Sequence, residues 1–248
     1  MIREHLFHKK NVSDPLFRWR GGEVSRLEGL SDGVFALALT MLVIRSDVPS
    51  TFYELRQTAI ELPVFLVCFA MLMMAWRYHY LFFRRYGLED LPTTLLNSAY
   101  LFLVIFLVFP LKFLATFLYA VVRGQPTSPM FADHHDELGE LAQRCGMMQF
   151  YSVAIIGVFG LQLLMLLLAY ARRERLELDR LERFLTIASM TAHGITCGIA
   201  GVSLLVVVMW SNPGMAGVTY FLMPVAHGAF GFWTGHRADR LRRELEAG

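Results

Sequence analysis

Apolar residues in this chain fall into blocks about as long as a bilayer is thick, one after another and with no linker between halves. A helix needs roughly 20 mostly apolar residues, at about 1.5 Å each, to cross the hydrocarbon core. Six such helices are predicted, at 27–46, 58–83, 92–121, 146–171, 183–210 and 214–236. The second and third are separated by "RRYGLEDLP", where Gly87 and Pro92 punctuate a turn; "SNPG", with Pro213 and Gly214, joins the last two. The fold class is therefore an all-α integral membrane protein. Composition agrees: 55% of residues are hydrophobic and 18% charged, where a soluble domain carries about a quarter. Mean hydropathy is +0.45. The expected organisation is an N-terminal tail (1–26), a six-helix membrane domain (27–236) and a C-terminal tail (237–248).

Charge distribution orients the bundle. Lys and Arg number six in the N-terminal tail, two in the first loop, three in the second, three in the third, five in the fourth, none in the fifth and four at the C-terminus. With both termini cytoplasmic, eighteen lie inside and five outside, which follows the positive-inside rule. A multi-pass protein of the cell's inner (plasma) membrane is expected. The first 26 residues are basic and lack an apolar core, so they read as a cytoplasmic tail and not as a secretory signal. The net charge of +2 gives no indication of a nucleic-acid partner. The fourth loop, "ARRERLELDRLERF", mixes charges at helical spacing, and Glu174, Glu177 and Glu182 are expected in exposed ion pairs with Arg173, Arg180 and Arg183.

Helix one, "LEGLSDGVFALALTMLVI", is anomalous. Only Val34 to Ile44, about 11 residues, is free of charge, too few for a helix facing lipid on all sides. Arg26, Glu28, Ser31 and Asp32 lie at or below the interface, and ionisable groups at that depth face a bundle interior or a wet cavity. At 100° per residue, Leu30, Gly33, Leu37, Thr40 or Met41, and Ile44 share one stripe. Asp32 falls about 140° from Leu37. The stripe can therefore face something other than the scaffold, while Asp32 points into it.

Candidate partners for Asp32 lie downstream. Trp76 and His79, at i and i+3, share a face, and Asn97 is a lone amide opening an apolar run. Asn and His hydrogen-bond between helices in membranes. A structural polar network of Arg26, Ser31, Asp32, Trp76, His79 and Asn97 is predicted at the cytoplasmic end. A proton- or ion-coupled transporter using Asp32, His79 or Glu28 is the rival reading, though no internal repeat or broken helix pair accompanies it. Cys68, Cys145 and Cys197 are scattered and form no metal spacing or disulfide framework. In "DHHDE", His134 and Asp136 lie in a polar loop with no second ligand set nearby, so neither a metal nor a catalytic site is expected. His193 and His227 are expected to be buried hydrogen-bonding residues.

The run "RLEGLSDGVFALALTMLVI" resembles the first-helix signature of the transmembrane protein 175 family of endolysosomal and bacterial potassium channels. That signature has an Arg, three residues, then Phe-Ser-Asp. Arg26, Ser31 and Asp32 match, and Leu30 replaces the Phe. A Trp, a His three residues on, an Asn opening helix three and a Pro late in it follow in the same order as Trp76, His79, Asn97 and Pro110; "PLKF" departs from the family's aromatic and Thr after that Pro. The likeness spans about residues 24–115. It implies a homotetramer in membrane lipid around a central pore lined by helix one, passing K+ and other monovalent cations. It implies no enzyme activity and no cofactor beyond permeant K+ ions. The expected narrowest ring is Leu37, with Thr40, Met41 and Ile44 beside it. Like the family, the sequence has no "TVGYG" filter. A ring of four Leu37 side chains would be a hydrophobic gate with modest preference for K+ over Na+.

Overall fold

The structure, a computed structural model, describes residues 16–43, 50–60, 62–131 and 137–247. Ile44, His134 and Asp136 lie outside the described residues. Among the described residues eight α-helices follow in order: α1 (Arg26–Val43), α2 (Phe52–Ile60), α3 (Leu62–Tyr86), α4 (Leu91–Val122), α5 (Glu137–Ala171), α6 (Arg180–Trp210), α7 (Pro213–Thr219) and α8 (Leu222–Ala247). A 3-10 turn at Ser128–Phe131 leads into α5.

Among the described residues five stretches are long and apolar enough to cross a membrane: Leu62–Tyr86, Leu91–Val122, Leu138–Ala171, Arg180–Trp210 and Pro213–Leu245. Helix α1 is shorter and carries Arg26, Glu28 and Asp32. The bundle is arranged as a bilayer demands, with polar side chains inside and large apolar ones outside. Ser31, His79, Asn97, Gln162, Thr186 and Ser203 are buried, whereas Phe102, Phe106, Phe109 and Phe113 stand exposed along one face of α4.

Helix termini follow their capping residues. Asp90 caps α4, accepting from the Thr93 N–H, with Pro92 in the first turn. Asp179 and Glu182 form a reciprocal capping box at the start of α6. Pro110 stands inside α4 and leaves it continuous; its own carbonyl accepts from the Tyr151 hydroxyl of α5 at 2.5 Å.

Several boundaries differ from the sequence expectation. The second predicted helix falls on α2 and α3, which lie either side of residue 61, itself outside the described residues. Helix α5 begins at Glu137 and not at 146, because Arg144 pairs with Glu140 one turn away at 2.6 Å and donates to Thr127 at 2.9 Å. Those bonds satisfy a polar stretch that reads as loop in one dimension. The last helix is interrupted after Thr219 and then runs to Ala247, through the segment assigned to a tail. Ala238 and Leu241 hold it by packing on Leu181.

The largest correction concerns the N-terminal segment and Glu182. Residues 16–22 are not a free tail. Phe17 is buried among Phe82, Phe83 and Tyr86, and the Arg20 and Gly21 N–H groups both donate to the Arg84 carbonyl. Gly87, at φ +59°, closes this contact, and a Cβ there would stand 3.0 Å from the Arg20 oxygen. Glu182, expected in an exposed pair, has a side chain only 2% accessible and bonds Arg20 at 2.5 Å. It also accepts from the Arg18 backbone N–H at 2.8 Å. This strap binds the end of α3 to the α5–α6 turn, beside the start of α1.

Candidate pore-lining helix and its polar anchor

Helix α1 begins at "SRLE", a capping box: the Glu28 N–H donates to Ser25 Oγ at 3.1 Å and the Ser25 N–H to Glu28 Oε2 at 3.0 Å. The other Glu28 oxygen lies 3.4 Å from Arg84, with both side chains almost entirely covered. Glu28 thus starts the helix and ties it to α3. The Ser-x-x-Glu spacing was available in the sequence; Arg84 as its partner was not.

From there α1 has two faces. Ser31, Phe35, Ala38 and Leu42 are buried, at spacings of four, three and four that keep them on one side. Phe35, Ala38 and Leu42 pack on Cys68, Leu72, Tyr100, Leu101, Val104 and Val108 of α3 and α4. On the other side Leu30 is 62% accessible and Leu37 51%, with Gly33, Ala36 and Thr40 exposed around them. Met41 is half-buried at the edge of the core cluster, so it flanks that face. The Thr40 hydroxyl donates to the Ala36 carbonyl at 2.8 Å, which leaves its oxygen lone pairs outward.

The inner face is fixed by hydrogen bonds at its first turns. Asn97 Nδ2 donates to Ser31 Oγ at 3.1 Å, and Asn97 Oδ1 lies 2.6 Å from His79 Nε2. The Asn97 amide is fully buried, and with the carbonyl facing it His79 must carry its proton on Nε2. Ser31 in turn donates to the Leu27 carbonyl at 2.8 Å. The His79 ring stacks on Tyr100 with centroids 5.7 Å apart, and Phe35 of α1 packs against both rings. One polar link therefore runs from α3 through α4 to α1, enclosed by aromatic rings.

Asp32 is connected separately. Trp76 Nε1 donates to Asp32 Oδ1 at 2.8 Å, and the Trp76 ring stacks on Tyr80. Asp32 is bonded to the scaffold but stays exposed at the edge of α1, where the sequence reading pointed it into the scaffold. Five of the six residues of the predicted network thus form two groups, Ser31–Asn97–His79 and Asp32–Trp76. Arg26 is exposed and joins neither; Glu28 and Arg84 occupy the position it was given. His193 is buried against Tyr78 and Phe159 and makes no hydrogen bond to a described residue, whereas His227 pairs with Thr196 at 2.9 Å.

These features define a multi-pass membrane protein in which one short helix is polar-anchored on one face and bare on the other. The sequence model of the endosomal/lysosomal potassium channel TMEM175 matches residues 26–108, the segment that contains α1, both polar groups and their partners. A protein of Marivirga tractuosa described as a potassium channel is 35% identical over 242 residues, covering 93% of this chain and 96% of the relative. The potassium channel Cha6605_3372 of Chamaesiphon minutus is 33% identical over 107 residues, 39% of this chain and 51% of its own. Among solved structures, a threonine-to-alanine variant of the potassium channel MtTMEM175, bound to a nanobody–MBP fusion, superposes with a TM-score of 0.76. It shares 33% identity, over 90% of this chain and 98% of that one. The chain belongs to the TMEM175 family, whose members here are channels and not enzymes.

Proposed function

We propose that the chain is a potassium-permeable cation channel, assembled as a homotetramer with α1 of each subunit lining a central pore. The observation that carries this reading is the bare stripe of Leu30, Gly33, Leu37 and Thr40 on a helix otherwise locked to its neighbours. A helix with three charges in 18 residues is poorly suited to lipid on that stripe, and a matching stripe from other copies is the natural cover. In this reading α1 is the sixth span, and both termini are in the cytoplasm of a cell whose inner membrane holds the protein.

Four Leu37 side chains would form the narrowest ring. A collar without polar groups makes an ion shed water to pass, and it can close by dewetting. Potassium holds its hydration shell less firmly than sodium, so such a collar favours potassium modestly without a carbonyl cage. Thr40, its proton committed to the helix, would offer oxygen lone pairs next to the collar, with Met41 completing the pore wall. Asp32 and the Ser31–Asn97–His79 link act as the fixed frame against which the Leu37 ring keeps its width.

The test is flux in liposomes. Purified protein should pass K+ faster than Na+ without a proton gradient, and Leu37→Ala should raise both fluxes while reducing the preference. Flux that requires a proton gradient and ignores Leu37 would replace the pore by a coupled transporter acting through Asp32 or His79. An assembly mass of one or two chains would exclude the tetramer.

A further inference from the structure

Away from α1, two adjoining cavities lie along α3 where it faces α5 and α6. The first, of about 150 Å³, is bounded by α3, α4 and α5 and is almost wholly apolar, with Met71, Met74, Val104, Ala154 and Val158 in its walls. The second, of about 170 Å³, lies nearer the strap, between α3, α5 and α6, and is lined by His79, Arg85, Gln162, Ser189 and His193. Both are bordered by Tyr78 and Gln162, so an apolar and a polar compartment adjoin there along one crevice of α3. From Met71 to Arg85 the crevice follows about 21 Å of helix, enough for one leaflet and its interface.

Neither compartment is filled by the fold. An apolar cavity of about 150 Å³ stays dry and takes hydrocarbon. In the polar one, His193 is 6% accessible and makes no hydrogen bond to a described residue, so its ring nitrogens have only an occupant to meet. Arg85, next to the last residue of α3, lies over the Phe17 ring at 4.8 Å and borders the polar compartment with a guanidinium of the kind that binds phosphate.

We propose that this crevice binds an anionic phospholipid from the leaflet on the strap side, with a segment of an acyl chain in the apolar compartment and its phosphate beside Arg85. Ester and glycerol oxygens then meet His193 and Gln162. The site touches His79, whose Nε2 meets the Asn97 amide that holds Ser31 of α1, so an occupant bears on the helix anchor. Lipid binding stands whether or not α1 lines a pore, and its test does not measure ion flow.

The delipidated assembly in detergent is titrated with phosphatidylglycerol or phosphatidylcholine and bound lipid is counted by native mass spectrometry. Phosphatidylglycerol should bind about tenfold more tightly. Arg85→Gln should abolish that preference, and His193→Phe, which fills the polar compartment, should weaken both lipids several-fold. Glycerol phosphate, which has no chains, should not compete. Equal retention of the two lipids by the unaltered chain would overturn the proposal, whether or not the variants fold. So would a folded His193→Phe that binds as before, as expected if a neighbouring subunit covers the crevice.

Discussion

Replacing Glu182 by alanine probes what the strap contributes. The carboxylate accepts four bonds: from the Arg18 and Asp179 backbone N–H groups at 2.8 and 3.1 Å, and from Arg20 at 2.5 and 3.1 Å. Breaking a buried pair by removing one partner costs about 3–5 kcal/mol, since the other charge stays buried. Arg20 is 12% accessible and keeps the Leu176, Arg18 and Glu177 carbonyls as acceptors, which points to the lower end of that range. For a chain of this size, about 3 kcal/mol corresponds to a fall of roughly 6–12 °C in Tm. The assay is thermal unfolding of the detergent-solubilised protein, followed by fluorescence and by loss of the monodisperse assembly. Glu177→Ala is the control: that side chain is 81% accessible, 3.6 Å from Arg18, and its loss should cost less than about 0.5 kcal/mol. Replacing both Arg20 and Glu182 by Met should be milder than Glu182→Ala, because no orphan charge remains. Should Glu182→Ala melt with the Glu177→Ala control, the strap would be an ornament of the fold and not a lock.

Other expectations follow the same reasoning. Asn97→Leu removes both interhelical bonds of the α1 anchor; at about 0.6 kcal/mol each, rising to about 1.7, it should lower Tm by a few degrees and alter liposome K+ flux more than a Leu swap on the lipid face. Gly87→Ala forces an L-residue to φ +59° against the Arg20 carbonyl and should cost at least about 1–2 kcal/mol in the same melt. The Arg172 hydrogen bond holds the Asp90 carboxyl below its usual range, with the Thr93 bonds adding to it. A depressed folded-state pKa stabilises above the unfolded value and is lost as pH falls through the folded one. Wild type should therefore lose stability on acidification below about pH 4, and Asp90→Asn should flatten that part of the pH–Tm curve.

The bilayer made much of this protein legible in one dimension. Apolar runs of spanning length had to be helices, because no other open backbone is satisfied in hydrocarbon. The 100° step likewise set Leu30, Gly33, Leu37 and Thr40 on one stripe, while the opposite face of Ser31, Phe35, Ala38 and Leu42 emerged only in the fold. Trp76, His79 and Asn97 could be nominated because polar groups at such depth need partners. Which partner each takes was a tertiary matter. Asn97 chose Ser31 and His79, Asp32 took Trp76 alone, and Arg26 was displaced by Arg84 reaching Glu28, a contact between residues 56 apart in sequence. The strap was invisible for the same reason. "FRWRGG" carries the composition of a solvated tail, and "LERF" that of an exposed charged helix. Only the meeting of α3 with the α5–α6 turn creates the groove in which Arg20 and Glu182 exclude water from each other. Periodicity and hydropathy are local and survive in the sequence; the burial of a charge depends on what arrives from elsewhere in the chain, and only the folded bundle decides that.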